Sequence, residues 1–289
     1  MTGDADYEEI NDAKSDMDHI YNQRDPRAYF RELRKVGYAI PGAAKPIFQA
    51  VIAQLRRRRE GTVHVLDLGC SYGINAALLK HDLSMPELYA HWGRDGLADA
   101  TPEEVVENDR QFFANLDHVE DLEVIGLDQA ENAVAFAEGA GLLDEGLSCN
   151  LENEALTGTA REDLAPVDLV TSTGCVGYVT DKSFNRLLPA ITRDGPAWQA
   201  NFVLRMFPFD AIEQTLSEQD YVTEKLEGRT FLQRRFTSAE EQERVLEQLS
   251  DLGIDPTGKE SEGYLHAEFY LSRPTGEAAQ MPVGQLVSA

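Results

Sequence analysis

Val63-His-Val-Leu-Asp-Leu-Gly-Cys-Ser-Tyr-Gly-Ile-Asn75 decides how this chain is read. An apolar run of strand length ends near Asp67, and Gly69 and Gly73 follow before a helix-forming segment. The pattern predicts a buried strand, a sharp turn and a helix start. Glycine at the turn allows left-handed backbone and close approach to a ligand, and the helix start offers unpaired N–H groups. An anionic or nucleoside-like ligand is expected there. The same glycines would also suit a turn that needs them only for packing, so the flanking sequence must decide.

Downstream, strands and helices alternate. Further strands are expected over Leu122–Asp128, 146–151, 167–172, 197–205, 230–236 and 264–273. Helices are expected over 74–83, 130–140, 182–191, 208–217 and 238–252. Such alternation implies a mostly parallel sheet covered on both faces, with ligands beyond the strands' carboxyl ends. About 40 residues separate the first of these helices from the second strand, too many for a simple loop. Thr101-Pro-Glu-Glu104 there is a capping box with proline at the first helical position, predicting an inserted helix over 101–116. That helix either covers the crevice or only packs on the sheet. The expected organisation is an N-terminal tail and helical lid over 1–60, a ligand-binding domain over 61–274 with its insertion at about 84–120, and a flexible tail over 275–289.

Composition narrows the partners. With 51 acidic against 26 basic residues, the net charge of −25 disfavours nucleic acid and anionic membranes. A high-salt host would explain the same surface. Cys70, Cys149 and Cys175 are widely spaced and odd in number, which supports neither a disulfide framework nor a zinc site. No histidine spacing suits a metal. No apolar run approaches the roughly 20 residues that span a bilayer, and a cytoplasmic location is expected.

Asp67-Leu-Gly-Cys-Ser-Tyr-Gly73 resembles the first motif of class I S-adenosylmethionine-dependent methyltransferases, except that Ser71 stands where a second glycine is usual. The resemblance covers residues 63–273. It implies a Rossmann-like fold with a seven-stranded, mostly parallel sheet and an antiparallel last strand, and S-adenosyl-L-methionine as cofactor. Asp67, Gly69, Ser71 and Gly73 would line the methionine and ribose parts. Asp128, with Gln129 beside it, would accept the ribose hydroxyls, and Asn150 and Leu151 would face the adenine. Thr173 and Tyr178, after the fourth strand, would lie near the transferring carbon. A dinucleotide loop also wants an acid after its second strand, but about 20 residues on; Asp128 lies much further from Gly73.

The transfer position shows no Asn-Pro-Pro-Tyr-like stretch and no carboxylate or histidine before Asp181, so a general base is not evident. Tyr178 could stabilise a sulfonium by cation–π attraction. The N-terminal cluster of Tyr21, Tyr29, Phe30 and Tyr38 reads as a lid presenting Tyr29 or Tyr38, or as the inner face of a short amphipathic helix. Three functions follow: methyl transfer to a small molecule, an azetidine-2-carboxylate-synthase-like cyclisation of the cofactor itself with release of methylthioadenosine, or cofactor binding without catalysis. Oligomeric state is left open.

Overall fold

The computed structural model describes residues 18–288. The first 17 residues of the expected N-terminal tail lie outside the described residues. Eight strands form one sheet: β1 (Val63–Leu68), β2 (Leu122–Asp128), β3 (Glu145–Ser148), β4 (Leu169–Thr173), β5 (Trp198–Leu204), β6 (Tyr221–Lys225), β7 (Phe231–Arg235) and β8 (Tyr264–Pro274). The order is β3-β2-β1-β4-β5-β8-β6, with β7 also on β8. The first five strands are parallel, and β8 runs antiparallel to β5. This is the Rossmann-like arrangement with an antiparallel closing strand that the resemblance implies. Strand order reverses between β1 and β4, so the ligand crevice lies beyond their carboxyl ends.

The expected count of seven strands is corrected to eight. The unanticipated β6 is short and mostly half-buried, and gives little apolar signal. It pairs with the far half of β8, from Tyr221↔Pro274 to Lys225↔Tyr270, while β7 takes the near half.

Strands buried on both faces explain the continuous apolar runs. Val63 and Val65 enter one core, and Leu66 and Leu68 the other. The first core lies under α1 (Asp18–Tyr21), α2 (Arg27–Lys35), α3 (Ile40–Arg56), α4 (Ile74–Lys80), α5 (Met85–Trp92), α6 (Pro102–Ala114) and α7 (Glu131–Gly139). The second lies under α8 (Gly158–Asp163), α9 (Asp181–Ile191), α10 (Asp210–Ser217) and α11 (Ala239–Asp251).

Two expected regions change character. α3 carries Pro46 inside it, and it buries Ile40, Ala44, Ile47, Phe48, Val51 and Leu55. Packing on the sheet thus overrides proline's local cost. Most of the expected lid is therefore core, and among the described residues Ile20 to Gln23 reach the glycine loop. The expected flexible tail folds back as α12 (Thr275–Ala278) and α13 (Val283–Leu286), burying Val283 and Leu286 in the first core.

The insertion packs into the first core, against α2 and α7. The capping box of α6 is formed, with Thr101 Oγ1 accepting from Glu104 N at 3.3 Å and the Glu104 carboxylate accepting from Thr101 N at 2.8 Å. Buried Asp109 accepts from Trp92 Nε1 at 2.6 Å and pairs with His91 Nε2 at 2.7 Å, locking α5 to α6. No helix among the described residues is long and apolar enough to cross a membrane.

Candidate functional site

The glycine loop joins β1 to α4. Asp67 points to the first core and is fully buried. Its Oδ1 accepts from Asn75 Nδ2 at 2.9 Å and from Thr171 Oγ1 at 3.2 Å. Its Oδ2 has no hydrogen-bond partner among the described residues. Burial pushes its carboxyl up to about 7 against those two hydrogen bonds, and the Asp128 charge acts in the same direction. Asn75 also donates to Thr173 Oγ1 at 3.1 Å, so one side chain ties the ends of β1 and β4 together.

Gly69 and Gly73 both have φ of +74°, and Ser71 holds +47° without being glycine. A Cβ on Gly69 would sit 2.7 Å from Cys175 Cβ, and one on Gly73 would sit 3.1 Å from Ala137 Cβ. Here the glycines admit protein neighbours: the loop after β4 above, and α7 beside. Ser71 Oγ is buried with no partner among the described residues. Ser71 thus combines a left-handed backbone with an unsatisfied buried hydroxyl oxygen, both at a cost to the fold.

At the β2 end, Asp128 Oδ2 accepts from Ser71 N at 2.9 Å and Oδ1 from Ala130 N at 2.9 Å. The carboxylate thus holds the glycine loop and keeps further acceptor capacity. Gln129 Oε1 accepts from Asn150 Nδ2 at 2.9 Å, joining the residues after β2 and β3. Leu151 is not exposed to the crevice as expected: its side chain is buried in the second core, and its carbonyl accepts from Arg186. Glu152 accepts from Thr180 N at 2.8 Å and from the Thr180 and Ser183 hydroxyls, tying the loop after β3 to the start of α9. No pattern local to Glu152 singles out that tie, because its partners lie about 30 residues on.

The segment Ile20 to Arg24 lies against the glycine loop and α7. The fully buried Tyr72, inside the glycine loop, accepts from Gln23 N at 2.8 Å, and its hydroxyl also meets Ile20 O and Gln23 O. Asn22 Oδ1 accepts from Asn132 N at 2.9 Å, seating the segment on α7, and Arg24 pairs with Glu103 of the insertion. Tyr29 packs edge-on against Tyr21, Tyr38 and Tyr72, with centroids 5.5, 6.2 and 5.5 Å away. Burial pushes the hydroxyls of Tyr29 and Tyr38 well up, so neither supplies a phenolate near neutral pH. Both side chains belong to the first core. Tyr178 lies 45% exposed after β4, at the crevice mouth.

The geometry favours the nucleoside-like side of the expectation over the anionic one. α4 is only 7 residues long, whereas Asp67 and Asp128 place two carboxylates on the loop. That electrostatics suits a cationic ligand carrying hydroxyl donors. A molecule with ribose hydroxyls at one end and ammonium and sulfonium charges at the other fits the donors and the unpartnered Asp67 and Ser71 oxygens. Sequence reading missed Tyr72, Asn75 and Asn22, whose importance depends on partners distant along the chain. Among the described residues, no group of three or more His, Cys, Asp and Glu could hold a metal ion.

No family model matches the chain, and no curated protein matches its sequence. Among solved structures it is similar to the plantazolicin methyltransferase BamL bound to a triazolic desmethylPZN analog and SAH, at 12% identity over 93% of this chain and 98% of that one, with a TM-score of 0.49. It is also similar to precorrin-6y C5,15-methyltransferase from Geobacter metallireducens, at 10% identity over 78% and 87%, TM-score 0.38. A TehB-like SAM-dependent methyltransferase from Corynebacterium glutamicum is 15% identical over 83% and 93%, TM-score 0.39. At such identities none of these likenesses carries residue roles.

Proposed function

We propose that the chain is an S-adenosyl-L-methionine-dependent methyltransferase that methylates a small molecule by in-line transfer. One observation carries the reading: two carboxylates meet at a single glycine loop, Asp128 bracing it at Ser71 N and Asp67 buried beneath it with Oδ2 unpartnered. The cofactor, when bound, supplies a methyl group on a sulfonium. Asp128 would accept the ribose hydroxyls while holding the loop. The Gln129–Asn150 pair would edge the adenine, with Leu151 supporting it from the core. Asp67 and Ser71 would meet the charged aminobutyrate end, with Asn75 and Thr173 fixing the orientation of Asp67. Gly69 and Gly73 would set the loop path. Tyr29 and Tyr38 would exclude water, and Tyr178 would offer its ring to the cationic centre. Positioning supplies most of the rate, because displacement at a methyl sulfonium asks mainly for alignment.

A small-molecule acceptor in the cytoplasm, rather than nucleic acid or a membrane, suits the acidic surface. The second reading, cyclisation of the cofactor with loss of methylthioadenosine, draws on the tyrosine-walled, segment-covered crevice. Calorimetry with S-adenosylhomocysteine separates both readings from neither, since no binding would overturn the two together. Incubation with S-adenosylmethionine alone separates them from each other: accumulation of methylthioadenosine replaces the first by the second. Asp128→Ala is expected to weaken S-adenosylhomocysteine binding by about 1–3 kcal/mol, and unchanged affinity would displace the ribose from this carboxylate.

A further inference from the structure

The pairing of β7 with β8 slips between Leu232↔His266 and Arg234↔Leu265, which makes Gln233 the extra residue of a β-bulge. A bulge re-aims a side chain, and here it buries two consecutive polar residues. Arg234 is spent on the buried Glu241, at 2.6 and 3.0 Å. Gln233 is only 5% exposed and lies toward the loop after β4, where its Nε2 would be 2.5 Å from a Cβ at Gly174. Its carbonyl accepts from Ala39 N at 2.8 Å, which seats it beside Tyr38. Its Oε1 is buried and has no partner among the described residues. An unpaired buried carbonyl is destabilising, and a well-packed apolar side chain would remove that cost. The position is therefore poorly explained by stability.

We propose that Gln233 Oε1 binds the methyl acceptor, taking a hydrogen bond from the N–H or O–H of the atom that is methylated. The inference rests on the methyl-transfer reading and names its substrate class: an amine or a hydroxyl, rather than a carbon or a thiolate. Gly174 immediately follows Thr173 at the end of β4, and its neighbour Cys175 lies on Gly69, so the amide flanks the crevice on the side away from Asp128. A hydrogen bond from the nucleophile's own N–H or O–H would turn its lone pair toward the methyl group. The amide itself takes no proton.

Sinefungin tests this without knowing the acceptor, because it carries an amine-bearing carbon where S-adenosylmethionine has its methylsulfonium. Binding of sinefungin and of S-adenosylhomocysteine would be measured by calorimetry for the full-length protein, Gln233→Met and Gln233→Glu. Gln233→Met keeps the length and removes the acceptor. It is expected to lose about tenfold or more in sinefungin affinity while S-adenosylhomocysteine binding stays unchanged. Gln233→Glu, which restores an acceptor, is expected to recover sinefungin binding. Equal losses for both ligands would put Gln233 on the amino-acid end of the cofactor and overturn the proposal, as would no loss for either. Failure of the unaltered protein to bind S-adenosylhomocysteine would instead remove the methyl-transfer reading beneath it.

Discussion

The two ends of the crevice treat their polar groups differently. Beyond β2 and β3, the side chains already have protein partners: Asp128 holds Ser71 N and Ala130 N, and Gln129 holds Asn150. Beneath the loop and at β7, Asp67 Oδ2, Ser71 Oγ and Gln233 Oε1 are buried with none among the described residues. The first end is preorganised and needs little from a ligand. The second holds polar groups at a cost to the fold, which is the pattern expected where a ligand completes the hydrogen bonding.

The sharpest way to break this contrast is at Asp67. Its folded pKa of about 7 lies above its ordinary 3.8. The folded state therefore keeps a proton that the unfolded state has released, and stability falls as pH rises through that window. Asp67→Asn is expected to flatten the fall, gaining up to about 4 kcal/mol over the unaltered protein at pH 8 in urea melts of the ligand-free form. Parallel pH profiles would show that the buried carboxylate costs nothing. Ligand binding should respond oppositely: S-adenosylmethionine should bind more tightly as Asp67 ionises between pH 6 and 8, and Asp67→Asn should abolish that trend.

Gly69→Ala probes the contact between the loops, since it forces left-handed backbone and a Cβ onto Cys175. A loss of about 2–4 kcal/mol is expected in the same melts, and a near-neutral result would mean that the loop after β4 moves easily. Tyr72→Phe is the mildest change. It removes only the hydroxyl that pins residues 20–23, and should cost about 0.5–1.5 kcal/mol while speeding S-adenosylhomocysteine dissociation in stopped flow. An unaltered off-rate would separate that segment from ligand retention.

How much was legible varies by element. β1, β2 and the α6 capping box are local patterns of apolar run and cap, and they stand where the residues predict. β6 was not legible, because it gains its place only from the length of β8. α3 runs through Pro46, a local breaker, because burial of Phe48 and Val51 depends on the sheet beneath. Asp67, Gly69, Ser71, Gly73 and Asp128 are brought to one loop, as their spacing around two strand ends suggests. Tyr29 and Tyr38 instead enter the core, because two aromatic faces are worth more to packing than a hydroxyl is to solvent.

Sequence alone carried the alternation of strands and helices, the glycine turn and the acid at each strand's end, since these depend on residues near one another along the chain. The surroundings of the two carboxylates were not among them. They were set when folding buried Asp67 away from water and placed Asp128 against the same loop, and the energy of a carboxylate depends on what surrounds it. The bulge that turns Gln233 toward the crevice is likewise a matter of register between β7 and β8, and nothing local in Phe-Leu-Gln-Arg-Arg specifies it.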